Sequence, residues 1–453
     1  MKTLAIFVIS IVLFSGVTTA QQITVRDSVI EKAVSQISVS NIKTTVNELV
    51  AIHTRHNLST KNDPAKGIGA ATRYLSNKLN GYIKQAGERA IVEKVEYRAG
   101  GKDTRLGREI TLTNVITTFK GSNKDDNRII VLLAHFDSRA ENNSDSTAFA
   151  PGANDNGSGV AALMEIARIL SGMDTPVTIK LMFLSGEEHG LLGAASMASL
   201  AKKENWNIIG VLNNDMIGNS RSSSTDVSNN TKLRIFSENI PYFESDDMKK
   251  SRVFNSSEND SKSRQLARYI KETGERYVDN MEVKLIYRND RFGRGGDHTP
   301  FCKEGFTAVR ICEYHENYDR THQPVTVKNG IELGDMPNGV DFEYVRKNCG
   351  VNLSSLLNLS YAPSLPQNVK IDITDLSNNT IISWQSPKEG KKPSAYYVLI
   401  RETDKSNWER KVKINGNKIE LPLSKDNYLF AVQSVDSEGH ESLAVFATGG
   451  SIK

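Results

Sequence analysis

A chain of 453 residues exceeds one ordinary domain, and two are expected. Hydrophobic residues make up 38% and charged residues 24%, the balance of a soluble globular protein. The formal net charge of +4 is spread in both signs along the chain, which excludes a basic nucleic-acid face or a polybasic membrane surface as the basis of function.

The first residues have the make-up of an export signal. Met1-Lys2 is the positive start, Leu4 to Leu13 the apolar core, and Thr18-Thr19-Ala20 a small-residue cleavage site. The apolar run is short for a membrane span, no later run is long enough, and no Cys follows to carry a lipid. A leader over residues 1–20, cleaved near Ala20, and a secreted or periplasmic protein are therefore expected.

Val25 to Asn57 carries helical periodicity through Ile30, Ala33, Val34, Ile37, Val46, Leu49 and Val50, and a second helical stretch covers Ala70 to Ala86. Strand-like runs at Ala90 to Tyr97 and Ile110 to Phe119 begin a sheet. The unbroken apolar run Ile129 to Ala134 reads as a strand buried on both faces, and it delivers His135-Phe136-Asp137 at its end. His135 and Asp137 are two apart, so on an extended strand their side chains point the same way. The Gly-rich turn Pro151 to Gly159, carrying Asp155, leads into a helix through Leu163, Ile166, Ala167 and Leu170. Val177 to Leu184 is the next strand, ending at Ser185-Gly186-Glu187-Glu188-His189-Gly190, and a helix covers Leu191 to Ala201. Ile208 to Leu212 ends at Asn213-Asn214-Asp215-Met216-Ile217-Gly218. This alternation predicts an α/β fold with a mostly parallel mixed sheet flanked by helices, joined by right-handed crossovers.

Asn219 to Thr231 is a Ser/Asn-rich loop, Lys262 to Val278 a helix and Glu282 to Tyr287 a strand. A glycine-rich turn, Gly293 to Phe301, carries Asp297-His298. Phe306 to Cys312 is a short strand, the polar segment from Glu313 ends at His322, and a last helix covers Phe342 to Leu359. Cys302, Cys312 and Cys349 are too few for a disulfide framework, and one bridge would leave an odd thiol; small buried residues is the preferred reading. At Ala362-Pro363-Ser364-Leu365-Pro366 the texture changes to short alternating runs, from Val369 to Val435, separated by turn residues. The domain boundary is placed there.

Strand ends and later loops thus supply His135, Asp137, Asp155, Glu187, Glu188, Asp215, His298 and His322. Imidazole and carboxylate ligands with an open position suit a catalytic zinc, and two neighbouring ions need a bridging carboxylate. There is no GxSxG elbow, HExxH helix or Walker lysine to support another chemistry. Each motif alone has a bland reading as a polar strand end or solvated turn; the ordered set is what overturns it.

The series His-Phe-Asp-Ser, Gly-Ala-Asn-Asp-Asn-Gly-Ser-Gly, Ser-Gly-Glu-Glu-His-Gly-Leu-Leu-Gly, Asn-Asp-Met-Ile-Gly and Gly-Asp-His-Thr-Pro-Phe, over about Arg128 to His322, resembles metallopeptidase family twenty-eight. These are di-zinc exopeptidases of the bacterial leucyl aminopeptidase type. The resemblance implies that Asp155 bridges two Zn2+ ions, with His135 and Asp215 completing one ligand set and Glu188 and His322 the other. It implies Glu187 as general base, and Asp137 as acceptor from the second nitrogen of His135. His322 is preferred as the last ligand, with His315 as competitor. Asp297 and His298 would line the substrate pocket without binding metal. His53, His56 and His440 read as surface residues and His189 as an incidental helix-start residue.

The domains expected are a zinc peptidase domain over 21–361 and a β-sandwich over 362–453 that resembles a fibronectin type III module. Trp384 stands in its core, Tyr396 to Ile400 is its central strand, and Tyr428 suits a tyrosine corner. It would contact a surface or polymer, or act as a spacer. The partner expected is a peptide or protein substrate. An aminopeptidase leads; a carboxypeptidase, a glutaminyl cyclase or an inactive binding protein on the same fold are the alternatives.

Overall fold

Residues 25–450 are described in a computed structural model, and the leader expected over residues 1–20 lies outside them. The N-terminal periodicity resolves into α1 (Ser28–Ser35) and α2 (Val39–Ala51), whose first turns are capped by Asp27 and Ser38 side chains accepting from Val29 N and Asn41 N. After α3 (Gly67–Tyr82), β1 (Ala90–Gly100) and β2 (Glu109–Phe119) pair antiparallel. The chain then alternates through β3 (Arg128–His135), α4 (Gly157–Leu170), β4 (Thr178–Leu184), α5 (Leu192–Lys203) and β5 (Asn207–Asn214).

The pattern does not announce β6 (Lys232–Ser237) or α6 (Asp246–Asn255). The helix buries none of its residues, so it has no apolar stripe to read. α7 (Lys262–Tyr277), β7 (Glu282–Ile286), α8 (His298–Lys303) and β8 (Ala308–Glu313) follow, then a hairpin of β9 (Thr326–Lys328) and β10 (Ile331–Leu333), and α9 (Phe342–Tyr361).

The first eight strands form one sheet in the order β1-β2-β4-β3-β5-β8-β6-β7. Its centre, β4-β3-β5-β8, is parallel, but β1–β2, β2–β4 and β6–β8 are antiparallel. The sheet is thus the mostly parallel, mixed one expected. The connection between β1 and β2 is too short for a crossover, which forces that pair antiparallel.

β3 explains its own apolar run. Ile130, Leu132 and Ala134 enter the core under α2, α4 and α9, while Val131 and Leu133 enter a second core against α5 and α8. Each fully buried Leu or Val contributes about 2 kcal/mol. α4 is buried nearly all round, and Gly159 in its first turn leaves no room for a side chain: a Cβ would sit 2.6 Å from the Asn214 carbonyl oxygen.

Beyond the proline stretch lie two four-stranded sheets. β11 (Gln367–Asp372), β12 (Thr380–Gln385), β15 (Lys418–Leu421) and β18 (Thr448–Gly450) make one; β13 (Ala395–Glu402), β14 (Arg410–Ile414), β16 (Tyr428–Val435) and β17 (Val445–Phe446) make the other. Ile382 and Trp384 from the first share a core with Tyr396, Val398, Phe430 and Val432 from the second. Tyr428 is no tyrosine corner: it is half-buried under the Arg410 guanidinium, and its hydroxyl has no hydrogen-bond partner among the described residues.

The outer face of the second sheet is held to α7 by buried ion pairs. Arg401 and Arg268 both meet Asp260, at 2.7 and 3.0 Å, and Arg276 meets Glu441 at 2.7 Å. Arg128 donates to the carbonyls of Ala362 and Pro363. His440, expected at the surface, is buried between Asp436 and Asp27, because its turn folds back onto the start of α1. The three cysteines are buried and free, so no bridge forms.

Burial opposes the charge on Glu441, but Lys411 and Arg276 outweigh it and hold the carboxyl down at about 2. A depressed folded pKa contributes stability that is present above the unfolded value and lost as pH falls toward the folded one. Urea unfolding is therefore expected to weaken from about pH 4.5 down to about 2. Glu441→Gln is expected to flatten that part of the acid limb and to cost about 3 kcal/mol at neutral pH; an unchanged acid limb would refute the assignment.

Candidate metal centre

Four parallel strands, β3, β4, β5 and β8, deliver acids and imidazoles to one edge of the sheet at their carboxyl ends. β3 ends in His135, β4 leads to Glu187 and Glu188, β5 leads to Asp215, and the turn before α4 carries Asp155. His322 arrives from the loop after β8, in a left-handed conformation at φ 56°. These side chains form two triads, His135–Glu187–Asp215 and Asp155–Glu188–His322, with donor atoms in each within 4.8 Å of one another.

Asp155 links them. Its Oδ1 lies 3.3 Å from His135 Nε2 and its Oδ2 2.9 Å from His322 Nε2. Behind the first imidazole stands Asp215 Oδ1 at 3.7 Å, and beside the second Glu188 Oε1 at 2.9 Å. A cleft of about 850 Å³ opens over Asp155, Glu187, Glu188, Asp215 and His322.

So many carboxylates in one buried place need positive charge. Burial works against a proton on His135, yet Glu187, Asp137, Asp155 and Asp215 hold it there and raise its pKa well above the usual imidazole range. Burial likewise opposes His322, but Glu188 and Asp155 bring it to about 10. Burial lifts the Glu187 carboxyl well above its ordinary value against the pull of His135, with Asp215 and Glu188 adding to the rise.

The donor set fits a divalent cation better than it fits protons. His135 Nε2 is buried and makes no hydrogen bond, although it is aimed between two carboxylates. Imidazole nitrogen with carboxylate oxygen is the ligand chemistry of zinc. Arg139 meanwhile reaches both later ligands, Nε to Glu188 Oε2 at 2.9 Å and Nη2 to His322 Nδ1 at 2.7 Å. A neutral His322 that offers Nε2 to a cation carries its proton on Nδ1, so Arg139 must give up that contact when a cation enters.

Three expected residues do other work. The nearest acceptor for His135 Nδ1 is the backbone carbonyl of Asp137, at 3.1 Å, with the carboxylate at 3.6 Å. The Asp137 carboxylate instead accepts from the amides of Glu187 and Glu188, at 3.3 and 3.1 Å, and from Asn57 Nδ2 at 2.6 Å. Asp297 and His298 do not line the cleft. They are fully buried, because their turn runs under the sheet edge into α8, where a Cβ on Gly296 would already crowd Asn213 and Arg310. Burial lifts the Asp297 carboxyl to about 8 against the pull of His135, with Asp137 and Asp215 pushing the same way. His315 lies outside both triads, with its ring against Tyr314.

His56 and His189 also depart from expectation. Both are buried, and both donate from Nε2 to the Asn143 carbonyl, at 2.8 and 3.0 Å. Through these two hydrogen bonds they pin the loop between β3 and α4. His53 is half-buried, stacked on Phe149.

Sequence reasoning missed the groups that hold the ligands still. Arg55 is fully buried and donates to the carbonyls of Phe136, Leu49, Pro151 and Gly152, tying the His135 strand end to the Asp155 turn. Asp335 accepts the amides of Asn154 and Asp155, the latter at 2.7 Å; burial lifts its carboxyl to about 7 against those amides. Arg310 meets Asp215 Oδ2 at 3.1 Å from β8. Asn352 exchanges side-chain hydrogen bonds with Asn214, and Asn348 donates to the Ile217 carbonyl, so α9 brackets Asp215. The legible signal for these was weak: charged or amide residues within otherwise apolar periodic segments.

Comparison with known proteins places these features in company. The model of Peptidase family M28 matches residues 114–330. A probable zinc metalloprotease of Leptosphaeria maculans is 38% identical over 93% of this chain and 97% of its own length. One of Pyricularia oryzae is 37% identical over 94% of this chain and 85% of its own. Among solved structures, the LapA aminopeptidase of Legionella pneumophila superposes with TM-score 0.51 at 18% identity, covering 77% of this chain and 78% of that one. An aminopeptidase from Aneurinibacillus sp. strain AM-1 does so with TM-score 0.50 at 15% identity, covering 72% and 95%. At these identities the structures show a common fold.

Arg55→Met removes the guanidinium donors that join the His135 strand end to the Asp155 turn and leaves several buried carbonyls unpaired. It is expected to cost about 3 kcal/mol or more in urea unfolding and to weaken cation affinity about 10- to 100-fold in a competitive chelator titration. Unchanged cation affinity in a folded variant would show that Arg55 serves stability alone.

Proposed function

This chain belongs to peptidase family M28, and from that premise we propose that it is a zinc-dependent exopeptidase, specifically an aminopeptidase that hydrolyses the peptide bond behind a free amino terminus. The observation that carries the reading is Asp155, one oxygen toward His135 and the other toward His322, with a further carboxylate beside each imidazole. The curated relatives named as probable zinc metalloproteases support zinc as the metal.

His135, Asp155 and Asp215 would hold one Zn2+ and Asp155, Glu188 and His322 the other, with zinc when bound supplying Lewis acidity that acidifies water and polarises the scissile carbonyl. Glu187 is half-buried at the cleft wall beside Glu188, where it takes a proton from the attacking water and returns it to the leaving amine. Asp137, through the two amides it accepts, keeps Glu187 and Glu188 in fixed relation. Arg310 holds Asp215 against the repulsion of Asp155 and Glu187.

The proposal has two extensions. The leader read in residues 1–20 supports export, so the enzyme would act in the periplasm or outside the cell. Trp384 in the shared core and the spacing of the strands support a fibronectin type III module after the proline stretch, a candidate contact with a surface or polymer.

Glu187 is the sharpest test, because it sits with His135 and Asp215 where it could also ligate. With amino-acid anilides and amino-blocked peptides as substrates, the zinc-loaded protein is expected to require a free amino terminus. Glu187→Gln is expected to keep two zinc ions per chain by elemental analysis and lose about 10²- to 10⁴-fold in kcat; loss of an ion would make Glu187 a ligand instead. Asp155→Asn is expected to lose both ions. One zinc with ammonia release from N-terminal glutamine would indicate a cyclase, cleavage from the carboxyl end a carboxypeptidase, and no turnover with both ions bound an inert scaffold.

A further inference from the structure

Beside the main cleft lies a pocket of about 510 Å³, and the two share a wall: Arg291, Arg294, Glu316 and Tyr318 line both. The side pocket adds Arg234 and Arg288, with Phe292 at its edge. Four guanidinium groups and one carboxylate therefore face a single space.

The carboxylate is already taken. Glu316 Oε1 meets Arg234 at 2.6 Å and Oε2 meets Arg291 at 2.5 Å, which fixes those two arginines as the floor. The pairing continues inward, from Arg291 to Asp290 at 3.3 Å, from Asp290 to Arg310 at 2.9 Å, and from Arg310 to Asp215 at 3.1 Å. Along this chain Asp215, Asp290 and Glu316 balance Arg310, Arg291 and Arg234. Arg288 and Arg294 are left over, with no carboxylate partner among the described residues. Arg288 sits over Phe292, its guanidinium carbon 3.8 Å from the ring centroid, while Phe292 itself is 86% exposed. Two exposed guanidinium groups thus lie beyond the network, Arg294 where the side pocket meets the cleft and Arg288 on the wall of the side pocket.

Resting on the peptidase reading of the main cleft, we propose that this pocket binds a carboxylate of the peptide substrate, with Arg288 and Arg294 as its ligands and Arg234, Arg291 and Glu316 as the rigid floor. A guanidinium fork matches a carboxylate in two parallel hydrogen bonds, and the exposed Phe292 ring offers an apolar wall for the methylenes of an acidic residue. The carboxylate comes either from an Asp or Glu side chain or from the free carboxyl end of a short peptide. Both present the same group to the same fork.

The test uses the zinc-loaded full chain and short peptides that differ by Glu or Gln at one position, each with a free and an amidated carboxyl end. At one position Glu is expected to exceed Gln about tenfold in kcat/KM, carried by KM, with the gain shrinking as salt rises. The variant Arg288→Gln/Arg294→Gln is expected to bring that ratio to near one, and the corresponding lysine pair to restore part of it. If the free-to-amidated ratio carries the tenfold and collapses in the same variant, the source is the peptide's own terminus. Peptides that are cleaved with both ratios near one overturn the inference and leave the peptidase reading standing. If nothing is cleaved, that reading fails, and calorimetry of the acetylated Glu and Gln peptides decides the pocket. Tighter binding of the Glu peptide, abolished by the glutamine variant, supports it; equal binding overturns it.

Discussion

Asp155 stands between His135 and His322 with one oxygen toward each, and the surrounding structure keeps that carboxylate in place. It is buried beside Glu187, Glu188 and Asp215, where like charges repel strongly because little water screens them. A side chain in that position moves unless the backbone beneath it is immobile. Asp335 binds the Asp155 amide, Arg55 binds the carbonyls just before it, and Gly159 lets the following helix close against Asn214. Each removes a freedom that the repulsion would otherwise exploit.

Positive charge is distributed by the same logic. Arg310 and Arg139 each meet a carboxylate directly, one in each triad. Arg55 neutralises from below while spending its donors on backbone carbonyls. These cations do not complete every donor, which is why the unpaired His135 Nε2 tells more than any distance between acids. A buried nitrogen aimed at two carboxylates, without a hydrogen bond, is costly unless a cation completes it.

Much of this was legible from residue order, and the reasons separate cleanly. The β3 run was readable because both faces are buried, so hydrophobicity had no gaps. The ligand motifs were readable because strand ends in an α/β fold all reach one edge. The clamps were not, because Arg55, Asp335 and Asn352 act on backbone or on remote partners, and no local spacing encodes that. Asp297 and His298 misled for the opposite reason: a glycine-rich turn reads as exposed, yet those glycines permit burial by letting the turn approach Asn213 and Arg310. His56 and His440 were misplaced because each finds its partners across the fold, His440 in an aspartate at the start of α1.

The C-terminal β unit follows from the same accounting of buried charge. A tethered module would present a hydrated face to its neighbour. Here Asp260 is shared by Arg268 of α7 and Arg401 of β13, and Arg276 of α7 meets Glu441, all with side chains almost wholly buried. Buried ion pairs gain little stability over apolar packing, but they tolerate no slippage, because a shifted register strands a charge without water or partner. Trp408 adds a hydrogen bond from its indole nitrogen to Gln265, again on α7. The same helix packs against α9, whose asparagines bracket Asp215. The β unit therefore belongs to the mechanical frame of the site.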